Sequence, residues 1–337
     1  MRILAITREA DDPATRYRLG LHRPGLARLG IDVWPMPWPA SRRERYAILD
    51  SARDYDAVVV FRCLMPIGQL IRLRRNARWL AFDFDDNPTR RDSTKGYPWL
   101  LLDKVVQFRA MAALADALTP GNTTLAELAR YYGARQQIEI VPTAIDLARY
   151  PFPPPPIEDV RLTIGWIGQP STLPYLKDLR PIFRLVYEEQ KPVVMRVIGA
   201  SRSGMMKEID TEEIPWSPAT EVRDLQSLQI GLAPLPDDAW TRGKCGLRLL
   251  QYLAAGVPSI ASPVGVQREI IAFGGSLSAT TEDEWSDAIR ELAAHPERRA
   301  ELARRGREIV ESRFTPEHYT TVLARLWSGQ EFGPAES

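Results

Sequence analysis

Lys244-Cys245-Gly246-Leu247-Arg248-Leu249-Leu250-Gln251-Tyr252-Leu253-Ala254-Ala255-Gly256-Val257-Pro258 reads as a turn, a helix of about three turns, a glycine stop and the approach to a buried strand, Ser259–Ser262. Leu247, Leu250 and Ala254 share one helical face, Gly256 is placed to end the helix, and Pro258 prevents its continuation. At the other end, Lys244, Cys245 and Gly246 stand where free backbone N–H groups and the helix dipole favour an anion. Gly246 lets a ligand approach the backbone, and Lys244 adds a full positive charge. The stretch is equally readable as an ordinary glycine-capped core helix that begins with a lysine.

Working outward, apolar strand patterns and helical patterns alternate along the whole chain, which implies parallel sheets flanked by helices. The first half predicts strands at Arg2–Ile6, Ile31–Trp34, Ala57–Phe61, Trp79–Phe84, Ala117–Thr119 and Ile138–Val141. Helices are expected at Arg18–Leu29, Ile67–Arg74, Leu101–Leu114 and Thr123–Tyr132. The second half predicts strands at Leu162–Ile167, Val193–Ile198, Ile230–Leu235 and Ser259–Ser262, with helices at Tyr175–Glu189, Val222–Gln226, Gly246–Ala255 and Glu282–Ala294. Thr281 and Glu284 have capping-box spacing. Between the halves, Pro151-Phe152-Pro153-Pro154-Pro155-Pro156 is an extended, semi-rigid joint.

Ligands of doubly wound sheets bind beyond the carboxyl ends of the strands, and three further segments fall at such ends. In Gly168-Gln169-Pro170-Ser171-Thr172 the glycine permits a tight turn, and the Ser171 and Thr172 hydroxyls can either hold phosphate oxygens or cap a helix. Phe82-Asp83-Phe84-Asp85-Asp86 ends an apolar strand in three carboxylates, which repel unless solvated, paired or metal-bound. Asp11-Asp12-Pro13-Ala14-Thr15-Arg16-Tyr17-Arg18 is either an exposed basic turn or a seat for an anionic acceptor held by Arg16 and Arg18.

The chain has 337 residues, 45% hydrophobic and 26% charged, enough for two soluble domains of ordinary size. Its net charge of +1 argues against a protein built around nucleic acid. Residues 1–150 carry 23 basic and 17 acidic side chains, and the remainder 21 and 26. Two cysteines, Cys63 and Cys245, make no disulfide framework, so a reducing cytoplasm is expected. The longest uncharged run, Leu249–Gln267, is broken by Gly256, Pro258 and Pro263, so any membrane association is expected to be peripheral, at the inner face. No strand is followed by G-x-G-x-x-G, which disfavours a dehydrogenase.

The string from Lys244 through Ser262-Pro263-Val264-Gly265 to Glu269-Ile270-Ile271 resembles the nucleotide-sugar segment of GT-B glycosyltransferases of the family 4 type, E-G-F-G-L-x-L-L-E-A-M-A-A-G-x-P-V-V-A-S-x-x-G. Ile140-Val141-Pro142-Thr143-Ala144-Ile145-Asp146 is similar to that family's I-P-N-G-V-D, and Thr15-Arg16-Tyr17-Arg18 to its S-R-Y-R. The resemblance spans Arg2 to Trp327. It implies an α/β fold of two Rossmann-like domains facing across a cleft: an acceptor domain over 1–150, a nucleotide-sugar domain over 151–314, and a C-terminal helix over 315–330 returning to the first.

The implied chemistry is transfer of a sugar from a nucleotide-diphosphate donor to an acceptor hydroxyl of a glycan or a lipid-linked substrate, with retention and with no metal or other cofactor. Lys244 would stabilise the departing diphosphate, and Asp85 or Asp86 would orient the acceptor hydroxyl. Donor contacts are implied for Gly168, Gln169, Ser171, Thr172, Asp237, Cys245, Gly246, Leu247, Arg248 and Gln251, and acceptor contacts for Arg16 and Arg18. The chain departs from the family where an arginine, a lysine and two glutamates are usual: Gln169, Pro174, Gly243 and Gln251 stand there. Lys244 with Arg248 would then replace the missing charge. Two alternatives stay open, a nucleotide-sugar epimerase on the same fold and a non-catalytic nucleotide-sugar-binding protein.

Overall fold

A computed structural model describes residues 1–9, 15–97, 99–151, 161–177, 179–189, 193–200 and 210–330. The proline joint over 152–156 and the loop residues Asp11–Ala14 lie outside the described residues. The chain divides into two units, Met1–Ala144 with Arg242–Cys245 and the chain from Thr315 on, and Ile145–Thr241 with Gly246–Phe314. This division differs from the expected one in two places. The boundary falls at 144 rather than 150, and four residues of the second half belong to the first unit.

The first unit contains β1 (Arg2–Thr7), α1 (Arg23–Arg28), β2 (Asp32–Pro37), α2 (Arg42–Ser51), β3 (Ala57–Phe61), α3 (Ile67–Asn76), β4 (Leu80–Phe84), α4 (Leu102–Leu114), β5 (Ala117–Pro120), α5 (Thr123–Tyr131) and β6 (Gln137–Ile138). Its six-stranded sheet is parallel, in the order β2-β1-β3-β4-β5-β6, so the winding reverses between β1 and β3. β3 and β4 are buried along their whole length because helices cover both faces. One face packs on Phe82, Phe84, Phe108 and Met111, the other on Ile3, Val59, Leu26 and Trp327. The expected helix Arg18–Leu29 is split: a wide turn, Arg16–Gly20, precedes α1, whose first turn holds Pro24.

The second unit contains β7 (Leu162–Ile167), α6 (Pro174–Lys177), α7 (Arg180–Glu189), β8 (Val193–Ile198), β9 (Asp210–Ile214), α8 (Glu221–Gln226), β10 (Ile230–Ala233), α9 (Leu247–Ala255), β11 (Ser259–Ala261), α10 (Val266–Ala272), β12 (Leu277–Ser278), α11 (Glu282–Ala294) and α12 (Pro296–Arg313). Its parallel order is β12-β11-β10-β7-β8-β9, and the reversal here lies between β7 and β10. Thr281 and Glu284 form a complete capping box at the start of α11. Gly256 ends α9 at φ 69°, left-handed geometry that favours glycine.

The last helix, α13 (Glu317–Ser328), belongs to the first unit. Trp327 meets Phe61 edge-on at 5.1 Å, and Trp79 Nε1 donates to Leu326 O at 2.8 Å. Its amphipathic face thereby closes the core over β3 and β5.

Candidate functional site

In each unit the relevant residues follow strands beside the reversal point, where a doubly wound sheet leaves a crevice between diverging loops. In the second unit that place is the turn after β7. Gly168 N donates to Ile198 O at 3.0 Å, and a Cβ on Gly168 would stand 2.5 Å from the Trp166 ring and 2.7 Å from Arg248 Nη2. Only glycine fits there. Arg248, on the first turn of α9, lies over the Trp166 ring at 4.6 Å. Its Nε donates to Ile167 O at 2.5 Å and its Nη2 to Thr172 Oγ1 at 3.2 Å. One guanidinium therefore ties the turn 167–172 to the start of a helix 81 residues further on.

The start of α9 carries no side-chain cap and no acidic residue in its first turn. Gly246 takes φ 70° at its N-cap, and the N–H groups of the first turn have no partner within the helix. Tyr252 reinforces the arrangement from below: its hydroxyl accepts from Ile167 N and donates to Leu232 O, both at 3.1 Å. Burial pushes that phenol up to about 12, so it stays a neutral donor. Burial also pulls the Arg248 pKa below its ordinary value, with nearby Tyr252 and Tyr175 opposing the shift. Among the described residues no carboxylate forms an ion pair with Arg248.

The other expected donor residues are distributed as follows. Gln169 and Ser171 are exposed on the turn, and Leu247 is half-buried at the helix start. Gln251 is buried rather than open to a ribose. Asp237 is exposed, whereas its neighbour Asp238 serves the loop itself, accepting from Trp240 N at 2.7 Å and Thr241 N at 2.9 Å.

In the first unit, the three clustered aspartates separate into two roles. Asp83 is fully buried and paired with Arg18, which donates Nε to Oδ1 at 2.9 Å and Nη2 to Oδ2 at 2.7 Å. Thr119 Oγ1 adds a bond of 2.6 Å to Asp83, and Arg18 also donates to the carbonyls of Thr119 and Val141. Burial opposes the Arg18 charge, but Asp83 outweighs it and the pKa is raised. Arg18 is thus a structural ion pair, which corrects its expected contact with an acceptor: with 3% exposure it has no surface to offer one. Arg16 is half-buried, its guanidinium over the Tyr17 ring.

Asp85 and Asp86 turn instead toward Arg62, directly after β3. Arg62 Nε lies 3.0 Å from Asp85 Oδ1 and Nη2 2.5 Å from Asp86 Oδ2. Among the described residues Arg62 is the one non-glycine with positive φ, 52°, a strained conformation typical of functional turns. Burial raises the Asp85 pKa, Arg62 opposes that rise, and the Asp86 charge adds to it. No sequence pattern singled out Arg62, because its partners lie more than twenty residues away.

The segment Arg242–Cys245 docks on the same strand ends. Asn122 caps α5 by accepting from Leu125 N, while its Nδ2 donates to Gly243 O at 3.0 Å and Lys244 O at 3.1 Å. Lys244 Nζ lies 3.7 Å from Asp86 Oδ1. Its charge thus faces a carboxylate of its own unit. Cys245 is buried against Asp85 O at 3.2 Å, and a Cβ on Gly121 would collide with its sulfur. Burial first, and Asp85 next, push its thiol well above the ordinary value, so it is a packing group and not a nucleophile. Both cysteines are free. Among the described residues no three His, Cys, Asp or Glu side chains converge as a metal site.

Two parallel Rossmann-like units with strand-end loops of this kind define the GT-B fold. Residues 195–325 match the family profile described as glycosyl transferase-like, and the two-unit architecture is that of the GT-B fold. No curated protein matches it. Among solved structures, sucrose-phosphate synthase from Thermosynechococcus elongatus is 14% identical with a TM-score of 0.74, over 98% of this chain and 99% of that one. Anabaena HepE, solved with UDP and glucose, is 12% identical with a TM-score of 0.71, over 98% of this chain and 100% of that one. A trehalose-6-phosphate synthase, from work on glycosyl transfer with retention, is 10% identical with a TM-score of 0.66, over 96% and 98%.

Proposed function

We propose that the chain transfers a sugar, with retention, from a nucleoside-diphosphate sugar to an acceptor hydroxyl of a glycan or lipid-linked substrate. The observation that carries the reading is Arg248. A cation with no carboxylate partner among the described residues, drawn partly out of water beside an uncapped helix start, is an unfavourable arrangement that an anion relieves. A diphosphate on the Gly168–Thr172 turn satisfies both the guanidinium and the free N–H groups of α9. The HepE structures with UDP and UDP-glucose support a nucleotide-sugar donor.

In the reaction the bond from the anomeric carbon to the phosphate oxygen breaks as the bond to the acceptor oxygen forms on the same face. The acceptor proton passes to the departing phosphate oxygen, so no protein nucleophile is required. Negative charge grows on the diphosphate, and Arg248 with the α9 N–H groups stabilises it. Asp86 orients the acceptor hydroxyl, and Lys244 and Arg62 are positioning residues that hold Asp86 in place.

A thermal-shift screen of uridine, guanosine and adenosine diphosphates and their sugar conjugates, each with magnesium and with chelator, tests the reading. A metal-independent rise with one nucleotide is expected, followed by acceptor-dependent donor consumption. Isomerised donor without acceptor would establish an epimerase instead. Binding without consumption would establish a nucleotide-sugar-binding protein.

A further inference from the structure

Of the nine large hydrophobic side chains exposed among the described residues, four fall within ten positions: Tyr97, Trp99, Leu102 and Val106, at 72%, 54%, 73% and 58% exposure. Leu102 and Val106 are one turn apart on the outward side of α4, whose Phe108, Met111 and Ala112 face the core. Tyr97 and Trp99 occupy the loop before it, with ring centroids 5.6 Å apart. The described residues around them are paired. Arg90 bridges Leu100 in antiparallel fashion, Arg91 N donates to Trp99 O at 3.0 Å, and Leu101 N donates to Thr89 O at 2.9 Å. A chain that anchors both arms of a loop and then points its aromatics at water exposes a patch that needs an occupant.

The surrounding charge identifies that occupant. Residues 90–109 hold five basic side chains, Arg90, Arg91, Lys95, Lys104 and Arg109, against two acids. Asp92 is engaged in capping the turn Ser93–Lys95 through Thr94, and Asp103 lies 3.9 Å from Lys104. Tyr and Trp rings flanked by Lys and Arg suit the boundary between acyl chains and anionic headgroups, whereas a soluble protein partner would require no such excess of one charge. Among the described residues no helix is long and apolar enough to cross a membrane, so attachment here is from one side.

We propose that Tyr97, Trp99 and the outward face of α4 with Leu102 and Val106 form a docking surface for an anionic lipid bilayer. This is independent of the sugar-transfer reading, since none of its residues belongs to the donor or acceptor machinery.

The test is co-sedimentation of the full chain with vesicles of phosphatidylcholine, alone or with about 30 mol% phosphatidylglycerol. The chain is expected to bind only the anionic vesicles and to leave them as salt rises. The double variant Trp99→Ser with Leu102→Ser should lose about tenfold in vesicle affinity, with unchanged melting temperature and unchanged nucleotide binding. No binding to anionic vesicles, or equal binding by the variant, would overturn the proposal. So would a wild-type dimer that the same substitutions dissolve in the absence of vesicle binding, which would make the patch a contact for a second copy.

Discussion

Lys244 Nζ stands 3.7 Å from Asp86 Oδ1, so the lysine just before α9 has a carboxylate for a neighbour. That relationship separates two cations that the sequence treats alike. Arg248 has no carboxylate partner among the described residues and is bonded to Ile167 and Thr172 on the turn after β7. Lys244, with Arg62, braces an acidic pair.

Lys244→Ala should therefore lower kcat about tenfold while leaving the affinity for a nucleoside diphosphate unchanged. Because the Lys244–Asp86 pair is partly exposed, the loss of stability should stay below about 1 kcal/mol. Steady-state kinetics and nucleotide titration on one preparation check this. A raised nucleotide Kd with kcat preserved would return Lys244 to the diphosphate.

Arg18→Met leaves the Asp83 carboxylate buried and uncompensated, and should destabilise the first unit by about 3–5 kcal/mol. Urea denaturation measures it. A fully stable variant with a raised KM for acceptor would contradict the structural role assigned to Arg18.

His22 is buried, its Nδ1 3.0 Å from Thr320 Oγ1, and burial together with the Arg18 charge lowers its pKa from 6.5 to about 3. The unfolded chain binds a proton first, so stability is full above about pH 6.5 and declines as pH falls toward about 3, by up to about 1.4 kcal/mol per unit. His22→Gln should flatten that acid slope. Denaturation midpoints at neutral pH and at about pH 4.5 measure it, and identical slopes in both proteins would contradict the assignment.

Gly168→Ala introduces a Cβ that would stand 2.5 Å from the Trp166 ring and 2.7 Å from Arg248 Nη2. The guanidinium must move, so nucleotide affinity should fall about tenfold and stability by about 1–3 kcal/mol. Titration and melting of the variant check both; unimpaired nucleotide binding would show that the Arg248 position is not needed.

The helices and strands that the sequence disclosed are those with strong local signals. The apolar runs of β3, β7 and β8 coincide with their expected spans, as does α11 with its Thr281 box. β9 was missed because Asp210-Thr211-Glu212-Glu213-Ile214 is an acidic edge strand without apolar alternation, and β12 because two residues carry no period. The expected helix Tyr175–Glu189 is broken into α6 and α7, and Pro181 in the first turn of α7 marks the restart. Side-chain partners were far less legible. Arg18 lies in a polar string, and only the sheet, by bringing β4 and β5 together beneath it, reveals its burial. Arg62 and Tyr252 take their roles from residues 24 and 85 positions away.

The most direct measurement of the central claim is calorimetric titration of uridine, guanosine and adenosine diphosphates into the wild-type chain and into Arg248→Gln. One nucleotide should bind the wild type without metal, inorganic pyrophosphate should compete with it, and the variant should bind at least about tenfold more weakly. Equal affinity in a folded Arg248→Gln variant, or no binding of any of the three to the wild type, would contradict a diphosphate site at the Gly168–Thr172 turn.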